Sequence, residues 1–287
     1  MKQPARMGIR WFGTLAILLL TVWPISAMPA DNAYTLGVFP YFTPTRLEEI
    51  YAPVAADLSI KLGTPVAFRT AISFENYFAK LQAQAYDIAL FPPLFYIPAV
   101  DQFGYLPLAR MQEPFTALIV VPDTSPIHDE QALRNKVIAS PPNYLPVTLM
   151  AKKTLRDHGL LPGRDVRFME TKNTEVCFQR IMTGAADACV TLPFAVIAYQ
   201  NNTGVRLRII QETVHLPNIL FVVHNRVPVA DRERLHAAII GWSATAEGQA
   251  MLQKMNTGGF INATDTDYQP VREFVKELTE PWLPIVP

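Results

Sequence analysis

The chain has 287 residues, its 25 Lys plus Arg balance 25 Asp plus Glu, and 50% of it is apolar. Lys2, Arg6 and Arg10 are the only charged side chains among the first thirty residues, so the remainder carries a small acidic excess. It holds no basic cluster to neutralise a row of phosphates, which argues against a nucleic-acid partner, and its length points to two lobes.

Those three basic residues precede an apolar run from Trp11 to Val22 that is short for a membrane span, and the small residues Ser26, Ala27 and Ala30 follow. Residues 1–30 therefore read as a secretory signal peptide. No Cys near the cleavage region is available for lipid attachment, so the mature protein is expected free in the periplasm, as a monomer. Pro and charged residues interrupt every later apolar stretch.

The mature chain opens with a short strand, Tyr34 to Phe39, and the loop Pro40, Tyr41, Phe42. A helix follows, capped by Thr43, with Pro44 in its first turn, a stripe of Leu47, Ile50, Tyr51, Val54, Leu58 and Leu62, and Gly63 as its stop. Val66 to Thr70 reads as strand, Ser73 to Gln82 as helix with Phe74, Tyr77, Phe78 and Leu81 on one face, and Asp87 to Phe91 as strand. Strands alternating with amphipathic helices imply βαβ units and a largely parallel sheet, with the loops after the strands gathered on one edge.

Phe115 to Val121 reads as a strand that crosses to a second βα series. That series comprises strand Lys136–Ser140, helix 146–158 ended by Gly159, strand Val166–Met169, helix 173–183 between Asn173 and Gly184, strand Asp187–Thr191, helix Pro193–Tyr199 and strand Arg206–Gln211. Ile219 to Val223 resembles the first crossing stretch, and the remainder reads as helical through Leu235, Ala238, Ile239 and Trp242, then Val271, Phe274, Val275 and Leu278. No short repeat is visible, but the two βα halves amount to a coarse duplication. The expected division is a signal peptide at 1–30, lobe I at 31–114 and 222–287, and lobe II at 115–221. The fold class is α/β, two-lobed, each lobe a mostly parallel sheet flanked by helices, joined by two crossing strands.

Four segments carry a family likeness: Tyr51-Ala-Pro-Val-Ala-Ala-Asp-Leu-Ser-Ile-Lys-Leu-Gly-Thr-Pro-Val66, Asp87-Ile-Ala-Leu-Phe-Pro-Pro-Leu-Phe-Tyr96, Lys136-Val-Ile-Ala139 and Ile181-Met-Thr-Gly-Ala-Ala-Asp-Ala188. In order and spacing they resemble the phosphonate/phosphite periplasmic binding proteins of ABC transporters, within the type II periplasmic binding-protein class. The resemblance implies hinged lobes with a ligand between them, an aromatic side chain from the first strand's loop (Phe39 or Tyr41 here) and a ligand-facing Tyr96.

Where the family places Gly-Pro before a small residue and Tyr, this chain has Pro92-Pro93-Leu94-Phe95-Tyr96; where it places a Ser-Thr-Ser-like run at a helix N-terminus, this chain has Leu145-Pro-Val147. The phosphonate cradle is thus altered, with only Thr148, Asn143 and Tyr144 left to restore polar contacts. Asn173 and Thr191 stand where some relatives carry amine-recognising acids. The candidate ligand set is Phe39, Tyr41, Phe91, Phe95, Tyr96, Asn143, Tyr144, Thr148, Asn173 and Thr191, which suits a small organic molecule better than a bare oxyanion. Some of these rings are equally accounted for as core, whereas Tyr41, Tyr96 and Tyr144 carry hydroxyls that need partners if buried.

Cys177 and Cys189 are the only cysteines, and either a disulfide or two buried thiols fits their placement. His128, His158, His215, His224 and His236 show no metal-ligand spacing, and no nucleophile elbow, Walker loop or dinucleotide glycine pattern occurs. No cofactor, metal or catalytic residue is expected, and the chain reads as a binding protein, not an enzyme. Its ligand-closed form would dock on an ABC permease or, alternatively, on a membrane receptor or kinase that senses it.

Overall fold

The computed structural model describes Met1, residues 33–279 and Trp282, so the expected signal peptide lies almost wholly outside the described residues. The first sheet starts with β1 (Tyr34–Val38), α1 (Pro44–Leu62), β2 (Val66–Arg69), α2 (Phe74–Gln82), β3 (Ile88–Phe91), α3 (Tyr96–Asp101) and β4 (Tyr105–Met111). The second comprises β5 (Leu118–Pro122), β6 (Val137–Ser140), α4 (Pro146–Asp157), β7 (Arg167–Glu170), α5 (Thr174–Met182), β8 (Ala188–Thr191), α6 (Pro193–Thr203) and β9 (Leu207–Glu212). The chain then returns with β10 (Leu220–His224), α7 (Val229–Gly241), α8 (Ala246–Met255), β11 (Phe260–Asn262) and α9 (Gln269–Lys276).

Local chemistry accounts for the helix ends. The Thr43 hydroxyl accepts from the Arg46 N–H and Gly63, at φ 68°, closes α1 in the left-handed region that suits glycine. Ser73 caps α2 and Asn173 caps α5 in the same way, each accepting from the N–H three residues on.

The sheets share one plan. The first runs β2-β1-β3-β10-β4 with β11 added at the edge, and the second runs β7-β6-β8-β5-β9. In each, three strands are parallel as expected (β2-β1-β3 and β7-β6-β8), while β10 and β5 are inserted antiparallel to them. The reversal follows from entry: both inserted strands come from the other half, enter at the edge where the parallel strands end, and run away from it.

The shared plan extends to single residues one hundred positions apart, a repeat that reading the sequence missed because its carriers differ in type: Ser73 and Asn173 as caps, Tyr77 and Cys177, Phe78 and Phe178, Asp87 and Asp187, Pro93 and Pro193.

One apolar cluster runs from the first sheet (Leu36, Leu90, Phe221) into the second (Ile119, Ile138, Val190) and α4 (Leu149, Leu155). A smaller one fills the opposite face of the second sheet with Leu118, Val120, Phe178, Ile181 and Val196, so alternate residues of β5 serve different cores. Within it Cys177 and Cys189 form a disulfide, Cα atoms 5.7 Å apart, which decides between the two alternatives left open above.

Three expectations change. Phe115 to Ala117 lie before the paired strand, which starts at Leu118, and together with residues 213–219 form the crossing itself. The segment after β10 is not all helical, because Phe260–Asn262 pairs with β4 as an edge strand, a three-residue element too short to show a period. Strand β4 and helix α3 went unassigned because Pro98 and Pro107 break their patterns.

Candidate binding cleft

The two crossing segments are bonded to each other. Phe115 and Leu216 exchange both backbone hydrogen bonds (2.8 and 2.9 Å), and toward the second sheet the Thr213 hydroxyl accepts from the Ala117 N–H at 2.9 Å. Toward the first sheet, the Glu113 carboxylate accepts from the Thr257 hydroxyl and the Gly258 N–H, both at 2.7 Å, and the Tyr268 hydroxyl donates to the Asn218 carbonyl at 2.7 Å. Burial works against ionised Glu113, yet these donors hold its carboxyl below the usual range. Each segment is thus anchored at both ends, leaving the Phe115–Leu216 pair between the anchors.

The loops after the parallel strands supply the facing walls. From the first sheet, Phe39 stacks on Tyr41 at 4.6 Å, Tyr41 shares a 2.9 Å hydroxyl–hydroxyl hydrogen bond with Tyr51, and Phe39 lies 6.0 Å from Phe74. Burial pushes the Tyr41 hydroxyl up to about 12. From the second sheet, Tyr144 meets Phe74 edge-on at 6.5 Å, and its hydroxyl donates to the Glu75 carboxylate. Burial, then Glu75 and Glu170, raise the Tyr144 pKa. The Glu75 carboxyl is held low despite its burial by the Ser73 hydroxyl, its own N–H and Tyr144. Of the candidate set, Phe39, Tyr41 and Tyr144 are therefore brought together, and Asn143 sits beside them, giving its N–H and side-chain amide to Glu170.

The other candidates are placed differently. Phe91 and Phe95 are fully buried, the latter edge-on to Phe78 at 5.3 Å, because their short apolar run serves the core rather than the loop. Tyr96 is also buried, stacked on Tyr268 at 4.1 Å with its hydroxyl donating to Asp265 at 2.8 Å. The Thr148 hydroxyl donates to the Pro141 carbonyl, and the Asn173 amide oxygen is occupied as the cap of α5. Thr191, at the end of β8, is 1% exposed, and its hydroxyl has no partner among the described residues. Phe74, expected on the core face of α2, instead occupies the helix's first turn, half-buried between Phe39 and Tyr144. Glu75 and Glu170 were missed altogether; an acid just inside a capped helix reads as dipole compensation, and nothing in the sequence sets it apart.

Residues 36–268 match the family described as ABC transporter, phosphonate, periplasmic substrate-binding protein. No curated protein matches the chain. Among solved structures it is similar to a Prochlorococcus marinus protein, PhnD1, in complex with methylphosphonate (17% identity, 86% of this chain and 98% of that one, TM-score 0.72). It is also similar to a binding protein component of an ABC phosphonate transporter from Pseudomonas aeruginosa (15%, 85% and 85%, 0.69) and to a Xanthomonas citri protein bound to ATP (14%, 87% and 100%, 0.70). At these identities the structural likenesses speak for the fold, two sheet-based lobes with a cleft between them.

Proposed function

The chain belongs to the phosphonate-type periplasmic substrate-binding proteins of ABC transporters, and from that premise we propose that it captures a small organic ligand in the aromatic-walled cleft between its lobes and presents the closed form to a membrane permease. Binding proteins of this family bind small ligands and deliver them to permeases; they are not enzymes. In this reading residues 1–30 direct export, lobe I is built from 31–114 and 222–287, lobe II from 115–221, and the Phe115–Leu216 pair is the pivot.

The observation that carries the ligand class is the exhaustion of polar anchors. Thr148, Asn173 and Asn143 already serve partners within the protein, and Pro92 and Pro146 have no N–H to offer. The carboxylates that act on Tyr144 from both sides, Glu75 and Glu170, oppose a dianion. What supports an uncharged or weakly charged organic ligand is the ring surface of Phe39, Tyr41, Phe74 and Tyr144 together with the unpartnered Thr191 hydroxyl.

Mass spectrometry of solutes that co-purify with the mature protein, followed by a thermal-shift series, tests this. A small organic solute is expected to raise Tm in a concentration-dependent way while methylphosphonate and phosphite do not. A large rise with methylphosphonate, against an inert organic panel, overturns the reading.

A further inference from the structure

The first and second sheets meet at a place other than the crossing segments. Phe74 and Glu75 open α2, just after the outermost parallel strand of the first sheet; Tyr144 lies in the loop after β6 of the second. In both sheets the crossing strands β10 and β5 lie on the opposite side of the parallel trio from β2 and β7. This contact therefore stands at the cleft side farthest from the pivot, where a small rotation opens the widest gap.

We propose that Phe74, Glu75 and Tyr144 form a gate across the cleft mouth that holds the two lobes together in the ligand-free protein. The edge-on ring contact at 6.5 Å supplies apolar area, and the Tyr144 hydroxyl gives the Glu75 carboxylate a charge-assisted hydrogen bond. The gate also contains an opposing charge. Glu170, on the same side as Tyr144, faces the same hydroxyl and is stabilised by the Asn143 N–H and side-chain amide. Without the tyrosine proton between them, the carboxylates of Glu75 and Glu170 repel across the mouth.

A second tie joins the halves, with Lys153 of α4 lying 2.7 Å from Glu277 beyond α9. Glu277 is 60% exposed and Lys153 is shared with Asp157, so this pair adds little. Solute entry then requires the gate to part, and the closed fraction of the free protein lowers the share of molecules ready to bind.

The test is small-angle X-ray scattering on ligand-stripped mature protein, comparing wild type with Tyr144→Phe, Glu75→Gln and Phe74→Ala. Tyr144→Phe keeps the ring and deletes only the hydroxyl, and near-ultraviolet circular dichroism checks that each variant remains folded. The wild type is expected to scatter as the closed form. Tyr144→Phe and Glu75→Gln are expected to raise the radius of gyration through a shift of roughly tenfold toward the open form. A wild-type curve already that of an open protein, or folded variants with unchanged curves, overturns the gate. Because no solute is added, this outcome is independent of which ligand the cleft takes.

Discussion

Asp87 and Asp187 do the same job in the two sheets: the carboxylate of the first accepts the Thr35 backbone N–H at 2.8 Å, and that of the second accepts the Val137 N–H at 2.8 Å. Each ties the turn before a central parallel strand to the start of the neighbouring one, β1 or β6. Asp87 also accepts from the Thr35 hydroxyl (2.8 Å) and the Arg226 guanidinium (2.7 Å), whereas Asp187 has Lys136 at 3.4 Å.

The unequal partners lead to unequal costs. Asp87→Ala is expected to destabilise by roughly 2–3 kcal/mol, and Asp187→Ala by roughly 1 kcal/mol less, in urea unfolding. Burial opposes the charged form of Asp87, but its Thr35 and Arg226 bonds hold the carboxyl below the usual range. Its contribution is therefore complete above the unfolded-state value and fades as pH falls through the lower folded-state value. The stability gap between wild type and Asp87→Asn is expected to narrow on acidification; a constant gap would show that the carboxylate's charge is immaterial.

The disulfide joins α5 to β8 across a sequence separation of 12, and both cysteines are fully buried. Reductant alone is expected to leave native protein intact, since reaction needs an opening event. The double variant Cys177→Ser, Cys189→Ser is expected to lose about 2–3 kcal/mol, largely through a less constrained unfolded chain. Denaturation with and without dithiothreitol reads this directly.

Gly37 in β1 lies under the ring of Tyr86, so that a Cβ there would fall 2.4 Å from Tyr86 Cγ. Tyr86 in turn stacks on Tyr77 at 5.2 Å and has no room to withdraw. Gly37→Ala is expected to cost about 2–3 kcal/mol as the rings are displaced. A melting temperature equal to wild type would mean the pair moves freely.

Thr191→Val replaces an unpartnered hydroxyl with a methyl of nearly the same shape. Folding stability without solute is expected to stay equal or rise slightly, while the thermal shift given by a bound solute shrinks. If the shift is unaltered, the hydroxyl has no part in binding.

Tyr96 offers a contrast. Because its ring is buried against Tyr268 and its hydroxyl is committed to Asp265, Tyr96→Ala is expected to destabilise by about 3–5 kcal/mol. Tyr96→Phe, which spares the ring, isolates the hydroxyl: a reduced solute-induced shift with little loss of stability would return it to the cleft.

The sequence by itself determined the local elements and their broad order. Thr43, Ser73, Asn173 and Gly63 act through the backbone beside them, and the stripe from Leu47 to Leu62 needs only helical spacing to show its buried face. It also carried the family likeness through short motifs around Asp87 and Ile181. What it could not convey was which aromatics face outward. Phe91, Phe95 and Phe39 look alike as apolar residues at strand ends, yet two fill the core and one stacks on Tyr41, a difference set by how far each lies from the sheet edge once β10 is inserted. Only the tertiary structure brought Glu75 and Phe74 to Tyr144, or bonded Cys177 to Cys189, because these contacts depend on where separate strands end in space rather than on the spacing of residues along the chain.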